Sequence, residues 1–243
     1  MRPATILRGR AAACALLVAA ALAGCAPARE PARRAAANEP PPVPALYETQ
    51  RRITEYIDSG RYDAEVARVV ARASAWIDER AAEVRKPAVV LDVDETALSN
   101  WRAYRMNGWA RIANGPCDLE KGPCGIHAWQ AMAGGVAIGP TLRLVERARV
   151  LGVAVFFISG RPDTVRDVTE RNLREQGFSF DRVILLPSDK TFRSGVDFKA
   201  PERKRIADAG YTILLSMGDQ QSDLDGGYAE RTFKLPNPVY YLP

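Results

Sequence analysis

The chain has 243 residues, 47% of them hydrophobic, which is room for one large domain with a real core. Three of its five net positive charges are Arg2, Arg8 and Arg10, in a stretch 1–24 that holds no acid, so +2 remains for residues 25–243. So small an excess gives no reason to expect a nucleic-acid polymer as partner.

Residues 1–24 have a basic start and then an apolar stretch from Ala11 to Gly24, too short to cross a bilayer as a mature helix; this reads as an export signal. Its end, Leu22-Ala23-Gly24-Cys25, is similar to a bacterial lipobox, in which Cys25 takes lipid and becomes the first mature residue. Ordinary cleavage after Ala21-Leu22-Ala23 is the alternative, but it leaves a cysteine at that point without a purpose. Ala26, rather than Asp, after the cysteine resembles sorting to the outer membrane, with the domain in the periplasm or at the cell surface. Residues 25–44, rich in Ala, Pro and Arg and including Pro40-Pro41-Pro42, cannot bury a core and read as an extended tether.

The folded domain is expected over 45–243, opening with an N-terminal helical extension, 45–85. A short helix over 45–58 ends before Gly60. The next, 61–84, places Val66, Val69, Val70, Ala73, Trp76 and Ile77 on one face. The apolar run Ala88-Val89-Val90-Leu91 predicts a buried parallel strand. Residues 97–139, with Trp101, Tyr104, Trp109, His127 and Trp129, interrupt the alternation of strands and helices and predict a small cap over that strand's carboxyl end. Within the cap Cys117 and Cys124 suit a local disulfide in an oxidising compartment; a metal site would need further soft ligands.

Beyond the cap a helix over 140–150 leads to a strand at 153–158. A helix over 162–176, with Pro162 in its first turn, leads to a strand at 183–186. A helix over 201–209, opened by Pro201 and closed by Gly210, leads to a strand at 212–217. After Phe233, Pro236 and Pro238 allow only an edge strand or extended cover. This alternation predicts an α/β fold: a Rossmann-like, doubly wound parallel sheet with helices on both faces.

The chemistry gathers at the carboxyl ends of the strands, where open α/β sheets bind ligands. Asp92 and Asp94 follow the first strand, Ser159-Gly160-Arg161 the second, and Gly218-Asp219-Gln220-Gln221-Ser222-Asp223 the last; Phe198-Lys199 lies just ahead of a helix start. Crowded carboxylates need a cation or a shared proton to offset their repulsion. A calcium loop beginning at Asp92 fails, because its sixth and twelfth positions hold Ala97 and Ala103 instead of Gly and Glu. Read singly, the Asp pair suits a helix cap plus a surface charge, Ser159 a helix cap, and His127 a structural role. Lys190 and Lys204 compete with Lys199, and Arg161 suits either a phosphate grip or solvent.

Asp-x-Asp-x-Thr at 92–96, Ser159, Lys199 and Gly-Asp-x-x-x-Asp at 218–223 together resemble the haloacid dehalogenase superfamily of phosphohydrolases. Leu91 to Asn100, Gly218 to Asp223 and the ending Phe233-Lys234-Leu235-Pro236-Asn237-Pro238 with Tyr240 and Tyr241 are similar to its acid phosphatase branch. That branch holds plant vegetative storage and acid phosphatases and bacterial outer-membrane lipoprotein phosphatases; the likeness covers residues 86–243. The resemblance implies that Asp92 attacks phosphorus to form an aspartyl-phosphate and that Asp94 is general acid and then base. It implies Mg²⁺ held by Asp92, the Asp94 main-chain carbonyl and Asp219, with Asp223 as ligand or neighbour. Ser159 would bind a phosphoryl oxygen and Lys199 offset transition-state charge. The implied activity is Mg²⁺-dependent hydrolysis of small phosphate esters, nucleoside monophosphates among them. A phosphotransferase with the same intermediate and a non-catalytic binding or storage lipoprotein are the alternatives. One histidine rules out histidine-type acid phosphatases and zinc-type alkaline ones.

Overall fold

The computed structural model describes residues 43–242; the export signal, Cys25 and the tether up to residue 42 lie outside the described residues. Helices α1 (Leu46–Asp58) and α2 (Arg61–Arg80) meet at Gly60, whose φ of 75° is the left-handed conformation that favours glycine. α2 buries Tyr62, Val66, Val70, Ala73 and Ile77, a stripe at helical spacing.

After strand β1 (Pro87–Leu91) the chain leaves the sheet for the cap. The cap holds the ribbon of β2 (Leu98–Ser99) and β3 (Val136–Ala137) and the short helices α3 (Trp101–Met106) and α4 (Ile126–Ala131). It returns through α5 (Gly139–Val150), β4 (Ala154–Pro162), α6 (Arg166–Glu175), β5 (Arg182–Leu186), α7 (Gly195–Asp208), β6 (Thr212–Gly218) and β7 (Arg231–Lys234). The five long strands run in the order β5-β4-β1-β6-β7, every pair parallel, so the carboxyl ends of β1, β4 and β6 lie side by side. This is the expected doubly wound sheet.

The period of two along each strand divides the core. Val89, Leu91, Val155, Phe157 and Leu215 pack with α2 and α5, whereas Ala88, Val90, Phe156, Ile158 and Ile213 pack with Phe198 and Ile206 of α7. α1 lies on α2 and reaches the cap. Gln50 Nε2 donates to the Gly108 carbonyl and Trp109 Nε1 to Thr54 Oγ1, both at 2.8 Å, and Arg105 pairs with Asp58.

Two helix starts differ from expectation. Pro162 is extended (ψ 148°) and ends β4, and α6 begins only at Arg166, after a 3₁₀ turn. The β4–β5 register shifts between Ser159 and Pro162, so strand geometry carries past the serine. α7 begins at Gly195, not Pro201, because Ser194 caps it by accepting from Asp197 N at 3.4 Å. Pro201 is then interior, and Lys199 stands on a helix rather than ahead of one.

Candidate active site

The tip of β1 is a tight turn. Asp92 N donates to the Met217 carbonyl at 3.0 Å, the last rung towards β6. The Val93 carbonyl then accepts from Ala97 N at 2.9 Å and Leu98 N at 2.8 Å. Glu95, inside that turn, has a φ of 53°, a strained value for a residue with a side chain.

Asp92 and Asp223 are joined by one amine. Lys199 Nζ donates to Asp92 Oδ1 at 2.6 Å and to Asp223 Oδ1 at 2.5 Å, all three side chains being buried. Burial opposes the charged amine, but the Asp223 and Asp92 carboxylates outweigh it and raise the lysine above its ordinary value. Lys204, by contrast, pairs with Asp208 at 2.7 Å on the surface, and Lys190 is exposed in a turn, so the choice among the three falls on Lys199.

Asp219, from the end of β6, completes a buried trio. Oxygens of Asp92, Asp219 and Asp223 lie within 4.8 Å of one another. Burial and the Asp223 charge push Asp219 up to about 6, against hydrogen bonds from Asn237 and Gln220. Burial, then the charges of Asp223, Asp219 and Asp94, push Asp92 well above the carboxylate range despite Lys199. The carboxyl groups of Asp92, Asp94, Glu95, Asp219 and Asp223 outnumber the two buried cations that pair with them, Lys199 and Arg161. A donor set made only of oxygen, whose crowding raises Asp92 and Asp219 for want of positive charge, fits a small hard divalent cation.

Asp94 is held apart from this trio. Arg161 donates to it through Nη2 (2.7 Å to Oδ1) and Nε (3.0 Å to Oδ2), and the cap adds Asn100 Nδ2 at 2.8 Å and Gln130 Nε2 at 3.3 Å. Arg161 thus neither faces solvent nor stands free to grip phosphate. Ser159 is buried at the cleft, where its Oγ accepts from Arg161 N at 3.2 Å; it caps no helix.

Several residues of the site carry no sequence motif of their own. Glu95 is fully buried, accepting from Asn100 N at 2.6 Å and Tyr240 OH at 2.7 Å. Arg203, one turn beyond Lys199 on α7, donates to the carbonyls of Asp223, Asp225 and Gly227 and so pins the loop that carries Asp219 and Asp223. Its spacing from Lys199 is the one signal that could have found it. Asn100 and Tyr240 lie inside segments matched to the acid phosphatase branch, but nothing in their spacing assigns them a partner.

Asp92, Asp94, Ser159, Lys199, Asp219 and Asp223 open on one cleft of about 330 Å³, walled by Tyr104, Ile126 and Gln130 of the cap, Phe192 ahead of α7, Phe198 on it, and Tyr240. The cap therefore roofs the tip of β1. Trp101, Trp109 and Trp129 are core, and His127 is exposed at the rim, its Nδ1 3.0 Å from Asn114 Oδ1. Cys117 and Cys124, seven positions apart in the connection between α3 and α4, are joined in a disulfide, and Asn107 clasps Cys124 N and O at 2.8 Å each.

Comparison with known proteins gives the same frame. The chain is 33% identical over 194 residues to the stem 28 kDa glycoprotein of Glycine max, covering 77% of this chain and 72% of that protein. It is 31% identical over 193 residues to acid phosphatase 1 of Solanum lycopersicum, covering 78% and 73%. The class C acid phosphatase of Bacillus anthracis has the same fold, with a TM-score of 0.62 at 22% identity over 79% of this chain and 86% of that one. The family profile matches residues 30–243, so the likeness read from residue 86 onward extends back through the N-terminal helices. The chain belongs to the HAD superfamily, subfamily IIIB, the acid phosphatases.

Proposed function

We propose that this acid phosphatase is Mg²⁺-dependent and hydrolyses small phosphate monoesters, nucleoside monophosphates among them, through an aspartyl-phosphate on Asp92. The observation that carries the reading is the convergence of Asp92, Asp219, Asp223 and Lys199 with Asp94 and Ser159 in one cleft. The rings of Tyr104, Phe192 and Tyr240 along that cleft suit a flat leaving group.

In the first step an Asp92 oxygen forms a bond to phosphorus while the ester P–O bond breaks, and the departing alkoxide takes the Asp94 proton. In the second, water gives a proton to the Asp94 carboxylate and attacks phosphorus, and the Asp92 O–P bond breaks. Lys199 and Ser159 stand where they can stabilise phosphoryl oxygens. Asp92, Asp219 and Asp223 would hold Mg²⁺, joined by the Asp94 carbonyl; the bound ion supplies the charge compensation that lets an anionic ester approach an anionic nucleophile.

The deciding experiment is phosphate release from p-nitrophenyl phosphate. Wild-type turnover should disappear with EDTA and return with Mg²⁺, and Asp92→Asn should melt cooperatively yet release no phosphate. A turning-over Asp92→Asn protein would refute the nucleophile. We further propose that the domain works outside the cytoplasm on a lipid anchor at Cys25. Cys25→Ser should leave activity intact and move the protein from the membrane fraction to the soluble one; unchanged membrane retention would remove the anchor.

A further inference from the structure

We propose that Asn237 is a positioning residue for the cation: its amide holds the Asp219 carboxylate so that one oxygen stays available as a ligand, which makes metal affinity depend on the C-terminal segment. The inference rests on the metal-dependent reading above and deepens it.

The last residues form a strap across the Asp219 loop. Leu235 N donates to the Gly218 carbonyl at 2.8 Å, Lys234 Nζ to the Asp219 carbonyl, and Leu242 N to Gln220 Oε1 at 2.9 Å. At the centre, Asn237 Nδ2 donates to Asp219 Oδ2 at 2.6 Å. The other end of the same amide accepts from Val239 N at 2.9 Å and Tyr240 N at 3.2 Å, so the side chain is fixed by its own turn before it reaches the aspartate.

The chemistry of the donors matters. Asp219 Oδ2 receives two neutral amides, Asn237 at 2.6 Å and Gln220 Nε2 at 2.5 Å, whereas among the described residues Oδ1 has only a long 3.3 Å contact from Thr96 Oγ1. Neutral donors saturate one oxygen and orient the group without cancelling its charge, which leaves Oδ1 as the oxygen for an ion. A lysine or arginine in place of Asn237 would offer Val239 N and Tyr240 N no acceptor and would neutralise the carboxylate. Tyr240, three residues on, donates to Glu95 at 2.7 Å and packs its ring on Tyr104 with centroids 5.4 Å apart. The strap thus ties the cation loop to the tip of β1 and to the cap.

The test is Mg²⁺ binding by calorimetry on wild type, Asn237→Ala and Asn237→Ser, with turnover of p-nitrophenyl phosphate titrated against Mg²⁺ in parallel. The serine hydroxyl can still accept within the turn but is too short to reach Asp219. Both variants should bind Mg²⁺ about 10-fold or more weaker, with turnover largely recovered at high Mg²⁺. Wild-type affinity in the serine variant overturns the proposal, and so does lost turnover that added Mg²⁺ does not restore. Failure of both variants to fold overturns it too, since the strap would then support the domain and not the ion. Wild type that neither binds Mg²⁺ nor needs it would instead remove the metal-dependent reading itself.

Discussion

The Arg161 guanidinium forks onto the Asp94 carboxylate, Nη2 to Oδ1 at 2.7 Å and Nε to Oδ2 at 3.0 Å. Burial favours the neutral acid, but the Arg161 charge and the hydrogen bonds from Arg161, Asn100 and Gln130 outweigh it and hold Asp94 below the usual carboxylate range. The group proposed to protonate the leaving alkoxide therefore keeps its proton only in acid.

Removing that fork should move the pH profile. The first step needs protonated Asp94, so kcat/KM on a poor leaving group falls as pH rises through the Asp94 pKa. In Arg161→Met that pKa rises, and the falling limb should shift to higher pH. Profiles on glycerol phosphate would show this, and superimposable limbs would count against Asp94 as the acid. Asp94→Asn should lose about 10²–10⁴-fold on the same alkyl ester and far less on an aryl ester.

Lys199→Met would leave Asp92 and Asp223 buried without their shared ammonium. Breaking a buried ion pair costs about 3–5 kcal/mol. The variant should melt well below wild type in EDTA, and Mg²⁺ should narrow the gap because the ion replaces the missing charge. Matching melting curves in EDTA would mean that the three groups do not form the pair.

As a ligand of the proposed ion, Asp219 would make its binding depend on pH. Burial and Asp223 push it up to about 6 in the metal-free chain, so protons compete with the ion below that point. The Mg²⁺ concentration giving half-maximal activity should rise as pH falls through about 6, because Asp219, like the raised Asp92, then holds a proton that the ion must displace. A flat requirement from pH 4.5 to 7 would exclude Asp219 as a titrating ligand.

The Cys117–Cys124 bridge closes a short loop whose end runs into Ile126 and His127 at the cleft. Closing a loop of that length is worth about 2–3 kcal/mol in the chain-entropy account. Cys117→Ser with Cys124→Ser should therefore lower the melting temperature and raise KM, with kcat within about 2-fold because no bridge atom meets the reacting phosphorus. A large fall in kcat with KM unchanged would contradict a purely supporting role.

The sheet was legible because each strand is a short apolar run between helices, and the parallel rule then gathers their carboxyl ends without any contact being known. That is why Asp92, Asp94, Ser159, Lys199, Asp219 and Asp223 fall in one cleft despite their separation in sequence. The proline-based helix starts failed where other local features prevailed: Ser194 caps α7 ahead of Pro201, and the shifted register of β4 carries past Ser159 to Pro162. The partner of Arg161 was illegible because a guanidinium two residues past Ser159 suits either phosphate or carboxylate; only the placement of Asp94 decides. Asn237 and Tyr240 show the same limit, since what they hold lies 18 and 145 residues away.

Helix α1 grips the cap through Gln50, Thr54 and Asp58. A chain begun at Arg61 would retain the sheet and every carboxylate of the cleft, yet its roof would lose those fastenings at Gly108, Trp109 and Arg105. The smallest fragment that carries the reactive groups is thus not the smallest competent enzyme, and proteolysis between Leu46 and Asp58 should loosen substrate binding before it touches the chemistry.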